Sequence, residues 1–200
     1  ETLDSSIREL KIQLQTMLGE SPTGELTLGP LPTQEEMAWE DPDYEADLEA
    51  AKAASWSLRS AVKTLEDAEE TWDDARDDYR AKREQYLLQQ AEHTWNAAQL
   101  TYQSTIQSFE TSFQSLYNAL SNNEQVLENA KSTLAWKETL LATAQTRYAL
   151  GLISHSEVLT AQDDVAAAQS AVDSAWRDLF TARNSYRWAV EAGLVSSAQG

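Results

Sequence analysis

Apolar residues recur every three or four positions over most of this chain, the spacing of helices that bury one face. Ile106, Phe109, Phe113, Leu116 and Leu120 start a run that continues through Leu127, Ala130, Leu134, Leu141 and Ala144 to Tyr148. Only Asn123 and Lys137 interrupt it. From Val158 the rhythm resumes through Ala161, Val165, Ala168 and Val172, and it reaches Ala189 without a break. An alternation of three and four is the seven-residue repeat of a coiled coil, whose seam stays against its partner helix. On the return helix large residues alternate with alanine, so the opposing helix can approach closely at every second layer. That helix, from His155 to Ala192, spans roughly 57 Å at 1.5 Å per residue. The pattern predicts a long, rod-like antiparallel hairpin.

Between the two seams lies Arg147-Tyr148-Ala149-Leu150-Gly151-Leu152-Ile153-Ser154-His155-Ser156-Glu157-Val158. Gly151 can take the left-handed conformation that ends a helix, having no Cβ to clash. Ser154 and Glu157 stand in the S-x-x-E spacing of a capping box, each side chain satisfying a free N–H at a helix start. Ile153 before the cap and Val158 four residues into the helix suit a hydrophobic staple. These signals predict the tip of the hairpin at residues 150–154.

Upstream the chain divides into three stretches. Over residues 3–18, Leu3, Ile7, Leu10, Leu14, Met17 and Leu18 keep helical spacing and Gly19 follows as a cap. Residues 19–42 hold all four prolines and three of the six glycines, so they form an irregular connector in which Glu25–Leu28 alternates like a short extended segment. Asp41-Pro42 closes the connector as an N-cap followed by proline at the first helical position. From Asp43 to Leu150 there is neither glycine nor proline. A single helix of that length would run about 160 Å, so a reversal is expected inside it, placed in the charge-dense stretch Asp73–Glu84.

The 200 residues include 33 Asp and Glu against 15 Lys and Arg, a net charge of −18. That balance argues against nucleic acid and anionic membranes as partners, since both are polyanions. The acids of Glu66–Asp78, followed by Arg80, Lys82 and Arg83, read as a solvated helix face rather than a cation site. With no cysteine there is no disulfide, thiol nucleophile or thiolate metal site. No apolar run approaches the roughly 20 residues of a membrane helix. The chain opens on Glu1 without a signal-peptide pattern, as a mature protein or an excerpt would.

No catalytic constellation stands out. His93 and His155 are far apart and neither lies in an H-E-x-x-H or H-x-x-E-H frame, so both read as solvated histidines. There is no glycine-rich phosphate loop and no G-x-S-x-G elbow. Asp163 and Asp164 are an ordinary exposed helix pair. The expectation is a non-enzymatic protein with no catalytic, cofactor-binding or metal site. Off the seam lie Trp136, Trp176, Trp188, Tyr102, Tyr117 and Leu140, and on earlier segments Trp72 and Trp95. Either Asp43–Gln90 covers them as further helices or another subunit does.

Ala144-Gln145-Thr146-Arg147-Tyr148-Ala149-Leu150-Gly151-Leu152-Ile153-Ser154, followed by Glu157-Val158-Leu159-Thr160-Ala161-Gln162, resembles the TolC-like outer-membrane efflux channel family. There an R-Y-x-x-G-L-x-S tip leads into a D/E-V-L-x-A-Q helix and an alanine-rich heptad. Leu18-Gly19-Glu20-Ser21-Pro22 is similar to the end of the preceding repeat of that family, and Asp41-Pro42-Asp43 to the start of the next. The resemblance implies a trimeric periplasmic tube whose hairpin tips dock on a periplasmic adaptor protein. It implies adaptor contacts at Arg147, Tyr148, Gly151, Leu152, Ile153 and Ser154. Glu157 becomes the acidic residue at the entrance, where a carboxylate ring favours cations. Two departures stand out. Only one repeat is present, and between Asp43 and Leu150 there is no alternating run that could supply the strands of a β-barrel.

The sequence therefore predicts an all-α protein: long antiparallel coiled-coil hairpins in an elongated bundle with no β-barrel. Its organisation is a helix over 1–18, a Pro/Gly connector over 19–42 and a helical-hairpin domain over 43–200. The leading function is a component of an export conduit in the cell envelope, periplasmic or at the surface of an envelope without an outer membrane. It associates with an adaptor and with copies of itself, as a trimer by the resemblance, although one repeat could also stand as a monomer. The alternative is a structural coiled coil or spectrin-like interaction module with no transport role.

Overall fold

A helix must end where its backbone can no longer continue, and three glycines with positive φ, Gly19, Gly151 and Gly193, mark three of the ends in this chain. The computed structural model describes residues 2–21, 24, 26, 27, 29, 41–78 and 85–194. Among them are five helices and no strand: α1 (Thr2–Met17), α2 (Tyr44–Ala54), α3 (Trp56–Asp78), α4 (Gln85–Ala149) and α5 (His155–Ala192). The protein is all-α. It divides into two units, Glu1–Asp41 and Pro42–Gly200.

In the first unit α1 closes at Gly19. The N–H of Glu20 bonds the Gln15 carbonyl at 2.9 Å, and that of Gly19 bonds the Thr16 carbonyl at 3.2 Å. The Gln15 side chain, buried, donates to the Gly24 carbonyl at 2.7 Å and ties the following loop back to the helix. The segment Glu25–Leu28 lies largely outside the described residues.

The second unit is built on α4. At 65 residues it runs about 97 Å. Its first half packs against α3 and its second half against α5, both antiparallel to it. The pairing is read directly from side chains: Trp72 with Trp95 on the α3 side, Lys137 with Asp164 and Phe113 with Tyr186 on the α5 side. The expected seam holds. On α5 every seam residue from Val158 to Ala189 is buried or half-buried, and on α4 all are except Tyr148 at the tip. The two polar interruptions are also explained. Lys137 reaches across to the Asp164 carboxylate at 2.6 Å, and Asn123 turns its amide back to the Ala119 carbonyl at 2.8 Å.

The core centres on Phe113, which is fully buried. Tyr44 of α2 lies 5.8 Å from its ring and Tyr186 of α5 lies 5.2 Å away, both tilted, as aromatic quadrupoles prefer. The Tyr186 hydroxyl donates to Asp47 at 2.8 Å, so a buried phenol joins three helices without an unmet polar group. Removing so central a ring costs about 3–5 kcal/mol.

Two sequence expectations need correction, and a third is located more closely. The N-cap of α2 is Asp43 rather than Asp41: its carboxylate accepts the Ala46 N–H at 3.3 Å, and Pro42 lies outside the helix. The run from Asp43 breaks at Ser55, where no glycine or proline warned of it. The break is held by the Ser55 hydroxyl, which accepts the Leu58 N–H, and by Arg59, which donates to the Ala53 carbonyl at 2.9 Å. The break also lies against the end of α5. Gly193, at the end of α5, sits so close to Ser55 that a Cβ there would lie 2.6 Å from the Ser55 Cα. The end of α5 thus meets the start of α3, and the two cover successive halves of α4. The reversal expected in Asp73–Glu84 falls within that stretch, since α3 continues to Asp78 and the antiparallel α4 begins at Gln85. Residues 79–84 of that stretch lie outside the described residues.

Of the off-seam aromatics, Trp72 and Trp95 stack at 4.7 Å and 9°, with the Arg76 guanidinium 4.9 Å over Trp72. Tyr117 is packed edge-on by Tyr44. Trp136 and Trp188 remain exposed.

Candidate functional site at the hairpin tip

The tip is a backbone construction before it is anything else. At the end of α4 the Leu152 N–H bonds the Arg147 carbonyl at 2.9 Å and the Gly151 N–H bonds the Tyr148 carbonyl at 2.8 Å. This six-to-one and five-to-two pairing is the Schellman closure, and Gly151 supplies its left-handed residue at φ +70. Three residues later α5 begins on Ser154, extended at φ −81 and ψ 158.

The capping box is present in both directions. The Ser154 hydroxyl accepts the Glu157 N–H at 3.4 Å, and the Glu157 carboxylate accepts the Ser154 N–H at 2.8 Å. The same carboxylate oxygen, Oε2, also takes the Ser154 hydroxyl at 3.0 Å. These bonds favour the charged form and hold the Glu157 carboxyl below the usual carboxylate range, the Ser154 backbone N–H contributing most and Arg147 adding a weaker attraction. Val158 is buried and Ile153 half-buried, in the positions a staple requires.

The expected site residues thus separate by role. Gly151, Ser154 and Glu157 set the turn. Arg147 is exposed and gives its carbonyl to the closure. Tyr148 lays its ring 5.5 Å from that of His155, bridging the two helices at the mouth of the turn. Leu152 projects, 65% exposed.

Two participants were not singled out in the sequence. Leu150 is 69% exposed, and His155, exposed as expected, also lies beside the Tyr148 ring. The available signal was position: two leucines flanking a helix-stopping glycine have no seam to enter. The tip therefore offers two exposed leucines, Leu150 and Leu152, on a turn whose backbone hydrogen bonds are internally met. Among the described residues no group of three His, Cys, Asp or Glu could hold a metal ion, and no helix is long and apolar enough to cross a membrane.

Comparison with known families places a match on this part of the chain. The model of the outer membrane efflux protein family matches residues 81–189, more than half of the sequence, covering α4, the tip and nearly all of α5. No curated protein and no solved structure matches the chain.

Proposed function

The chain belongs to the outer membrane efflux protein family, and on that premise we propose that it is a helical-hairpin element of an export conduit whose tip docks on an adaptor protein. The observation that carries this is the exposed pair Leu150 and Leu152 on a turn whose backbone hydrogen bonds are internally met. A preorganised apolar knob loses little entropy when it seats in a partner, which is what a docking element needs. The family works in efflux at the cell envelope, and that is the setting for this chain.

In this reading the hairpin domain, residues 43–200, is the working part, with 1–18 closing a preceding repeat through the connector 19–42. Arg147 and Tyr148 contribute contacts at the rim of the knob, and Gly151, Ile153, Ser154 and Glu157 hold its shape. Several chains gather around a common axis, and Glu157 places a carboxylate at the entrance. Only six residues separate α3 from α4. That is shorter than one membrane-crossing strand, which takes about 9 or more.

The test is capture of the chain on an immobilised cognate adaptor. Leu152→Asp and Leu150→Ser should abolish capture without loss of helicity, because both side chains are exposed. Capture of the Leu152→Asp variant as efficiently as the wild type would refute tip docking.

A further inference from the structure

Charge is distributed along this chain so that the tip differs from the helices behind it. The whole sequence holds 33 Asp and Glu, yet residues 139–156 contain none. Arg147 is the one permanent charge in that stretch, and His155 is the one other basic group. Cations further back on the hairpin are paired within the chain: Lys137 with Asp164, Arg183 with Glu124 and Arg187 with Glu191. The Arg147 side chain is exposed and forms no such pair among the described residues.

The nearest carboxylate, Glu157, does not cancel it. Its Oε2 accepts both the N–H and the hydroxyl of Ser154 at the start of α5, where the positive end of the helix dipole offsets a negative charge. Arg147 adds only the weakest of the attractions felt there. The next acids are Glu138 on α4 and Asp163 on α5. Glu138 lies nine residues before Arg147, about 13 Å along the helix. At physiological salt the screening length is about 8 Å. A surface that meets Leu150 and Leu152 therefore feels the Arg147 charge and little of the acidic rod.

This pattern sorts partners by charge. A basic surface is attracted to the acidic flanks, above all to Glu66–Asp78, and has no electrostatic reason to seek the end of the hairpin. An acidic surface is opposed along the rod, which carries the chain's excess of −18, and finds a free cation only at the tip. Complementarity of this kind fixes orientation more than raw affinity. We infer that the surface receiving this tip is an apolar socket edged by a carboxylate, and that Arg147 selects it. The inference rests on the docking reading above and adds to it the chemistry of the partner. Leu150 and Leu152 fill the socket, and the planar guanidinium meets the carboxylate with two parallel N–H bonds.

The experiment measures the affinity of the whole chain for its immobilised cognate adaptor, with circular dichroism to follow folding. Arg147→Gln should weaken binding about tenfold, the value of a hydrogen-bonded charge, with helicity unchanged. The fold is spared because the tip closure uses the backbone carbonyl of Arg147, which any residue supplies. The ratio between wild type and Arg147→Gln should shrink as salt is raised from about 50 to about 500 mM, since only the charged form is screened. Arg147→Lys keeps the charge without the fork and should fall between the two. Arg147→Glu should abolish binding, and one Asp→Lys or Glu→Lys change at the docking end of the adaptor should restore it. Arg147→Gln binding as tightly as wild type overturns the inference, as does a ratio indifferent to salt or an Arg147→Glu loss that no adaptor change restores. Stronger binding by Arg147→Glu would show that the socket is basic. If Leu152→Asp still binds like wild type, tip docking itself has failed and this inference falls with it. Loss in Leu152→Asp with none in Arg147→Gln removes the carboxylate alone.

Discussion

Gly151 and Gly193 both have a positive φ but differ in the rest of their backbone conformation and in what surrounds them, so alanine at each meets a different sum of strain and packing. Their φ angles are +70 and +76. At Gly151 a Cβ would meet nothing within 4 Å. Gly151→Ala should cost only the left-handed penalty of an L-residue, about 1–2 kcal/mol. At Gly193 ψ is 169, a region tolerated almost solely by glycine and costing about 1–3 kcal/mol for other residues. There a Cβ would also lie 2.6 Å from the Ser55 Cα and 2.9 Å from the Ser55 nitrogen. Those atoms are backbone, so no rotamer can relieve the overlap. The end of α5 must withdraw from the α2–α3 break, loosening the buried cluster that holds Ala51, Leu58, Tyr186 and Ala189. Such overpacking adds about 1–3 kcal/mol.

Gly193→Ala should therefore destabilise the second unit by about 4 kcal/mol in total, which corresponds to about 10 °C in Tm for a domain of this size. Gly151→Ala should lower Tm by about 4 °C on the same scale. Urea unfolding followed by circular dichroism measures both, with equal slopes expected and a much lower midpoint for Gly193→Ala. Equal midpoints for the two variants would show that Ser55 yields freely, and the close approach would then not be what fixes the break.

Other outcomes follow from the same contacts. Burial above all, and then the hydrogen bond to Asp47, pushes the Tyr186 phenol above its ordinary 10.0. Its contribution is thus fully present below about pH 10 and is lost as pH climbs through the folded-state value. Tyr186→Phe should cost about 1 kcal/mol at neutral pH and flatten the alkaline fall in the urea midpoint, and parallel alkaline curves for both proteins would contradict this. The Glu157 carboxyl is held low by Ser154, so the tip should be firm above the unfolded value of 4.5 and loosen as pH falls through the folded one. Amide exchange at Ser154 should report that loosening and show no pH step in Glu157→Gln. Ser154→Ala removes the N-cap and should cost about 1 kcal/mol, read from the same urea curves. Lys137→Leu exchanges a part-exposed ion pair, worth about 0–1 kcal/mol, for a continuous apolar seam, so its midpoint should be equal to or above that of the wild type.

What the sequence reveals here depends on whether the cause of a feature is local. The seam is legible because Val158 through Ala189 repeat without error, and a partner helix is the one surface that rewards such a repeat. The tip is legible because Gly151, Ser154 and Glu157 act on backbone groups within six residues of themselves. The break at Ser55 is not legible. Ala53-Ala54-Ser55-Trp56 contains no glycine or proline, and the backbone that lies close to Ser55 belongs to Gly193, at the other end of the unit. The N-cap was misplaced for a related reason: Asp41 and Asp43 both suit the role, and only the reach of the Asp43 carboxylate to Ala46 decides between them. An uncharged column on the outer side of α4 is a third case. Serine, threonine, asparagine and glutamine are unremarkable one at a time, and an absence of charge acquires meaning only when the columns facing outward are known. Phe113 and Leu120, buried against α5 and α2, fix that rotation. Once they do, the hydroxyls opposite them stand as an exposed, uncharged column along α4.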